Sequence, residues 1–140
     1  PGAIQVPGLV VYRYDSPLFF ANADDFRSRA LAAVREAEPA AQWFILNAEA
    51  NIEVDLTAAD MLEELRRTIS EEGVVFAIAR LKWEVREQLA EAGFIDAVGS
   101  DYIFATLPTA VAGYAAWHAE HYGYRPPGIP EATSRPDDET

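Results

Sequence analysis

Two unbroken apolar runs, Trp43–Leu46 and Val74–Ala79, bracket an amphipathic stretch from Thr57 to Glu72. A strand without polar alternation is buried on both faces, which is the habit of parallel sheets covered by helices. Joining two such strands through a helix requires a right-handed crossover. The stretch between them has helical spacing, with Met61, Leu62, Leu65 and Ile69 on one side and Glu63, Glu64, Arg66 and Arg67 on the other. Gly73 then stops it. This core of strand, helix and strand predicts an α/β domain.

The same reading extends outward. Leu9–Tyr14 is β-branched and aromatic, and Asp15-Ser16-Pro17 turns the chain. Leu18-Phe19-Phe20 reads as a second short strand pairing back on the first, which adds one antiparallel strand to an otherwise parallel sheet. From Asn22 or Ala23, the positions Phe26, Ala30, Leu31 and Val34 recur at helical spacing, and Pro39 lies beyond them. Lys82–Ala92 is helical and ends at Gly93. Tyr102-Ile103-Phe104 is a last short strand, and Pro108 sits in the first turn of a closing helix that runs to His121. The expected fold is a small mixed, mostly parallel sheet with about four helices packed on it. Residues 9–124 form the domain. Residues 1–8, with two prolines and two glycines, are expected to be a linker or edge strand. The Pro-rich acidic stretch 125–140 is expected to be disordered.

Charge and composition remove several functions. Eleven basic against 23 acidic side chains leave a net charge of −12, which repels nucleic-acid phosphates and anionic lipid. The absence of cysteine excludes disulfides, thiolate metal sites and cysteine nucleophiles. The sequence carries no Gly-x-Gly-x-x-Gly fingerprint, no Walker loop and no nucleophile elbow. His118 and His121 stand three apart near a helix carboxyl end, where the helix dipole alone accounts for them, so no metal is expected. Trp83 lies among charged neighbours, Lys82, Glu84, Arg86 and Glu87. It is either buried, as tryptophans usually are, or exposed as part of a contact surface.

The segment Ile52–Asp60 leads from a buried strand into the amphipathic helix. Thr57 is expected to cap that helix, with Asp60 three residues on as a capping-box partner. It is also a candidate regulatory hydroxyl beside Asp55. The loop Asp55-Leu56-Thr57-Ala58 and the loop Phe20-Ala21-Asn22 each follow a strand and precede a helix, so both belong at the carboxyl edge of the sheet. Ligands of open α/β sheets gather there, and an anion or nucleotide would meet backbone N–H groups.

The run Leu9-Val10-Val11-Tyr12-Arg13-Tyr14-Asp15-Ser16-Pro17-Leu18-Phe19-Phe20-Ala21-Asn22-Ala23 resembles the opening of the STAS domain, the carboxyl-terminal cytoplasmic domain of SulP-type sulfate and anion transporters. A second match spans Phe44–Leu65, with Asp55-x-Thr57 at the family's Asp-x-Ser/Thr loop. The resemblance covers roughly Pro7–Tyr122. It implies a regulatory and interaction domain, without catalysis, whose partners are the transmembrane portion of the same transporter and a cytoplasmic protein. It allows a guanine or adenine nucleotide as ligand and no other cofactor. It also implies that a chain opening at Pro1 is a soluble piece of a longer transporter at the cytoplasmic face of the membrane. The fold is shared with anti-sigma factor antagonists, in which a serine of an Asp-Ser-Ser/Thr-Gly loop is phosphorylated. A stand-alone antagonist is therefore the alternative, and a small acidic enzyme a third reading. Here Leu56 and Ala58 replace a hydroxyl residue and the glycine, and Asn47 stands where many members have aspartate. Thr57 is thus the one candidate phospho-acceptor of that loop.

Overall fold

The computed structural model describes residues 6–50 and 53–127. In chain order the elements are β1 (Leu9–Arg13), α1 (Ala23–Arg35), β2 (Trp43–Asn47), α2 (Leu56–Glu71), β3 (Val75–Ala79), α3 (Trp83–Glu91), α4 (Phe94–Val98), β4 (Ile103–Phe104) and α5 (Leu107–Tyr122). The four strands form one sheet in the order β1-β2-β3-β4, and every pair is parallel. Val11, Ile45 and Ala77 lie in one row across it.

Because each crossover steps one strand in the same direction, right-handedness places every connecting helix on one face. The alternate strand residues confirm this. Phe44, Leu46, Phe76 and Ile78 point into a core shared with Phe26, Leu31, Leu62, Leu65, Val85 and Phe94 of the helices. Leu65 and Ile69 are fully enclosed, as the spacing of α2 required. The opposite residues Trp43, Ile45, Ala77 and Ala79 would be bare, and α5 covers them with Ala110 and Tyr114. Small side chains let that single helix approach. Gly113 faces Phe104 so closely that a Cβ would stand 2.7 Å from the ring.

The expected antiparallel hairpin is not formed. Leu18 instead makes a lone parallel bridge with Val54, and Phe20–Asn22 is one turn of 3-10 helix. The side chains explain the change. Only Leu18 of the apolar triplet is buried, whereas Phe19 and Phe20 point to solvent and give a strand nothing to pack against. The short helix α4 follows Gly93, whose φ of +82° turns the chain out of α3. It fills a stretch for which the sequence offered too few residues to show a period. Of the expected amino-terminal linker or edge strand, Val6–Gly8 is irregular chain and turn. Its first five residues, and the expected tail from 128 onward, lie outside the described residues.

Candidate functional site

The two loops named from the sequence meet at the carboxyl edge of the sheet, and one side chain joins them. Asp55 Oδ1 accepts a hydrogen bond from the Ala58 N–H at 2.9 Å, and Oδ2 accepts one from the Phe20 N–H, also at 2.9 Å. Its backbone takes part as well, because the Asp55 N–H donates to the Leu18 carbonyl at 3.2 Å and Leu18 N–H to Glu53 at 3.0 Å. The 3-10 turn is braced from its other side by Asn22, which accepts from Phe19 N–H and donates to the Pro17 carbonyl. Ile52, expected in this segment, lies outside the described residues.

The helix cap differs from the sequence expectation. Asp55 is the N-cap of α2, and neither Thr57 nor Asp60 caps it. The Asp55 carboxylate gives each of two N–H donors from separate segments its own oxygen, and its charge strengthens both bonds. Thr57 is thereby left exposed in the first turn, with no hydrogen bond from its side chain to any described residue. Ala58, the next residue, is fully buried in the core.

The display of apolar surface is the feature that pattern reading missed. Phe20 is 71% exposed and Leu56 72%, with Phe19 packed edge-on against Phe20. Beside Phe20 runs a groove of about 580 Å³, floored by Ala23 and Met61 and rimmed by Asp24, Thr57, Asp60 and Glu64. Glu63 on the same wall is bonded to Arg66 and Arg67. The hydrogen bond from Arg66 holds its carboxyl below the ordinary glutamate range. A second concavity, about 690 Å³, lies between β1 and α1. Its polar groups largely satisfy one another, since Tyr14 donates to Asp25 at 2.7 Å and Arg29 binds the same carboxylate.

The remaining sequence candidates fall elsewhere. His118 is buried, and His118 and His121 each place Nδ1 against a backbone carbonyl, of Tyr124 and Trp117 respectively. Among the described residues no group of three or more potential ligands gathers to hold a metal ion. Trp83 is 65% exposed, so it is not buried as tryptophans usually are. Asn47 is buried at the end of β2, where its side-chain oxygen accepts from Glu49 N–H. No helix among the described residues is long and apolar enough to cross a membrane.

Among the described residues, a parallel sheet with its helices divided four to one, and with two pinned loops at its carboxyl edge, defines an α/β domain covered on both faces. The STAS domain family matches residues 1–110, and the chain belongs to that family. A probable sulfate transporter of Mycobacterium tuberculosis is 56% identical over 114 residues, which are 81% of this chain and 20% of that protein. This chain therefore spans about one-fifth of the curated relative it resembles. The structure of the murine solute carrier 26 family member A9 anion transporter superposes with a TM-score of 0.72 at 25% identity, covering 81% of this chain and 19% of that one. A putative anti-sigma factor antagonist of Thermotoga maritima shares the fold, with a TM-score of 0.63 at 16% identity over 79% of this chain and 91% of its own.

Proposed function

We propose that this chain is the cytoplasmic regulatory domain of a SulP-type sulfate (anion) transporter, and that it acts by contact, not by catalysis. The loop Asp55–Ala58 and the turn Phe20–Asn22 are the surface through which it touches the membrane portion. The observation that carries this reading is the Asp55 clamp, which holds exposed Phe20 and Leu56 on a fixed backbone. With the backbone already ordered, covering these exposed side chains costs a partner less ordering entropy than covering a mobile loop would. The similarity to sulfate transporters supplies the partner.

Thr57 is the regulatory hydroxyl on this reading. A phosphate there would sit at the amino end of α2, where the helix dipole favours it, and would add charge to a rim already acidic. A guanine or adenine nucleotide would use the same helix terminus, with Arg27 as the groove cation not already paired with a carboxylate. A cytoplasmic protein partner would compete for the same face. A regulatory contact must differ in strength between transporter states, and couplings of ~1–3 kcal/mol suffice to change transport about fivefold or more. Thr57→Asp and Thr57→Ala in the full-length protein should alter sulfate uptake while leaving the domain folded. Equal uptake by both variants and wild type, at equal membrane abundance, would remove Thr57 from this role.

A further inference from the structure

The groove beside Phe20 has a charge pattern that specifies its occupant. Asp24, Asp60 and Glu64 form no ion pair among the described residues, and Arg27 is the matching free cation, so three carboxylates stand against one guanidinium. Glu63 is shared between Arg66 at 2.7 Å and Arg67 at 3.1 Å, so that wall carries a paired carboxylate and the unpaired carboxylates are Asp24, Asp60 and Glu64. The floor is apolar and the wall is the exposed Phe20 ring, while Leu56, the residue before the groove-lining Thr57, is exposed as well. A net charge of −12 over the chain extends the same sign beyond the groove.

We infer that this face docks a lysine- and arginine-rich loop of the transporter's membrane portion, an apolar side chain of which sits on Phe20 and Met61 while its cations meet Asp24, Asp60 and Glu64. The inference rests on the regulatory reading above and adds the chemistry of the partner. Cytoplasmic loops of membrane proteins carry an excess of lysine and arginine near the ends of their spans, so the complement of this groove is abundant where the domain would hang. A second copy of this chain is a poor occupant, since it would bring a like charge of −12. The attraction also steers encounter over about a Debye length, ~10 Å at 0.1 M salt.

The test has two arms. In the first, the isotope-labelled 140-residue chain is titrated with a synthetic peptide of alternating lysine and leucine, with its glutamate–leucine counterpart, and with oligolysine. The lysine–leucine peptide should shift the amides of Phe20, Leu56, Thr57, Asp60 and Arg67. Phe20→Ala with Leu56→Ala should weaken it ~10-fold or more, as loss of an apolar anchor does. Asp60→Lys with Glu64→Lys should reverse the preference towards the glutamate peptide. Equal binding of the two leucine peptides, undiminished binding of oligolysine, shifts confined to another face, or no binding at all overturns the inference.

The second arm uses sulfate uptake by the full-length transporter, at equal membrane abundance. Loss of regulation in both the apolar and the charge-reversal pairs supports the inference. An effect of the Phe20–Leu56 pair without one from Asp60→Lys and Glu64→Lys keeps the contact surface and discards the basic partner. An effect of charge reversal alone discards the apolar anchor, and with it the inference. No effect from either pair discards the regulatory reading itself.

Discussion

Replacing Asp55 measures how much of the site depends on one carboxylate. In Asp55→Ala, the α2 cap is lost, a change that costs about 1 kcal/mol in comparable helices. The bond from Phe20 N–H is lost as well. Its net contribution falls towards the low end of about 0.5–1.5 kcal/mol, because the exposed N–H can be rehydrated. Removing a negative charge from the helix amino end adds a further ~0.3–1 kcal/mol. Together these give roughly 2–3 kcal/mol, or ~5–10 °C in Tm for a chain of this size. Asp55→Asn is the sharper variant. It offers one carbonyl oxygen to two N–H donors, so either Ala58 or Phe20 must face the amide NH2 group instead.

Urea denaturation should therefore rank wild type above Asp55→Asn above Asp55→Ala. Amide exchange should show Phe20 N–H deprotected in Asp55→Ala, and either Phe20 or Ala58 N–H deprotected in Asp55→Asn, before global unfolding. Equal stability of Asp55→Asn and wild type, with Phe20 and Ala58 both still protected, would mean that one oxygen serves both loops and that the clamp is not the organising contact.

Leu65, fully enclosed in the core, should cost ~2–5 kcal/mol when changed to alanine, read as a fall in the denaturation midpoint; a loss below about 1 kcal/mol would place α2 wrongly on the sheet. The Tyr12 hydroxyl is buried without a hydrogen-bond partner among the described residues, so Tyr12→Phe should leave stability equal or raise it by up to ~1 kcal/mol. Burial also pushes the Tyr12 pKa up to about 12, above the unfolded value of about 10. The native state then holds its proton while the unfolded chain releases it, so stability is lost as pH rises from 10 through 12, and Tyr12→Phe should flatten that limb in a pH series of thermal melts. Glu63 behaves in the opposite sense. Its carboxyl is lowered by Arg66, so its contribution is present above the unfolded value of about 4.3 and is lost as pH falls below it, and Glu63→Gln should remove that part of the acid limb.

The parts of the fold that were legible in the sequence are those whose cause is local. Trp43–Leu46 and Val74–Ala79 are continuous because both faces of a central parallel strand are covered, and α2 shows its period because it lies on a single core. Leu18-Phe19-Phe20 has a strand-like composition, but its pairing was decided by Val54, distant in sequence, and by the exposure of two of its three side chains. A single chain pattern holds no record of either. The cap illustrates the same limit at closer range. Asp55 and Thr57 are both good capping residues two positions apart, and nothing local separates the two registers. The choice falls to Asp55 because Phe20 N–H arrives from the other loop, and the second carboxylate oxygen is placed to accept it.

That contact also bears on why apolar residues can stand in water here without loosening the domain. Phe20 and Leu56 contribute little to the core, so their positions come from backbone bonds that converge on Asp55, Asn22 and the Leu18–Val54 bridge. Stability and display are then carried by different atoms. A side-chain change at Phe20 or Leu56 alters what the surface binds and leaves the folding free energy almost untouched, since surface substitutions of this kind usually stay within about 0.5 kcal/mol. A change at Asp55 does both. Comparing the two classes of variant in one uptake assay separates a lost contact from a loosened loop: a transporter impaired by Asp55→Asn but indifferent to Phe20→Ala and Leu56→Ala would owe its regulation to the loop's conformation and not to the surface it presents.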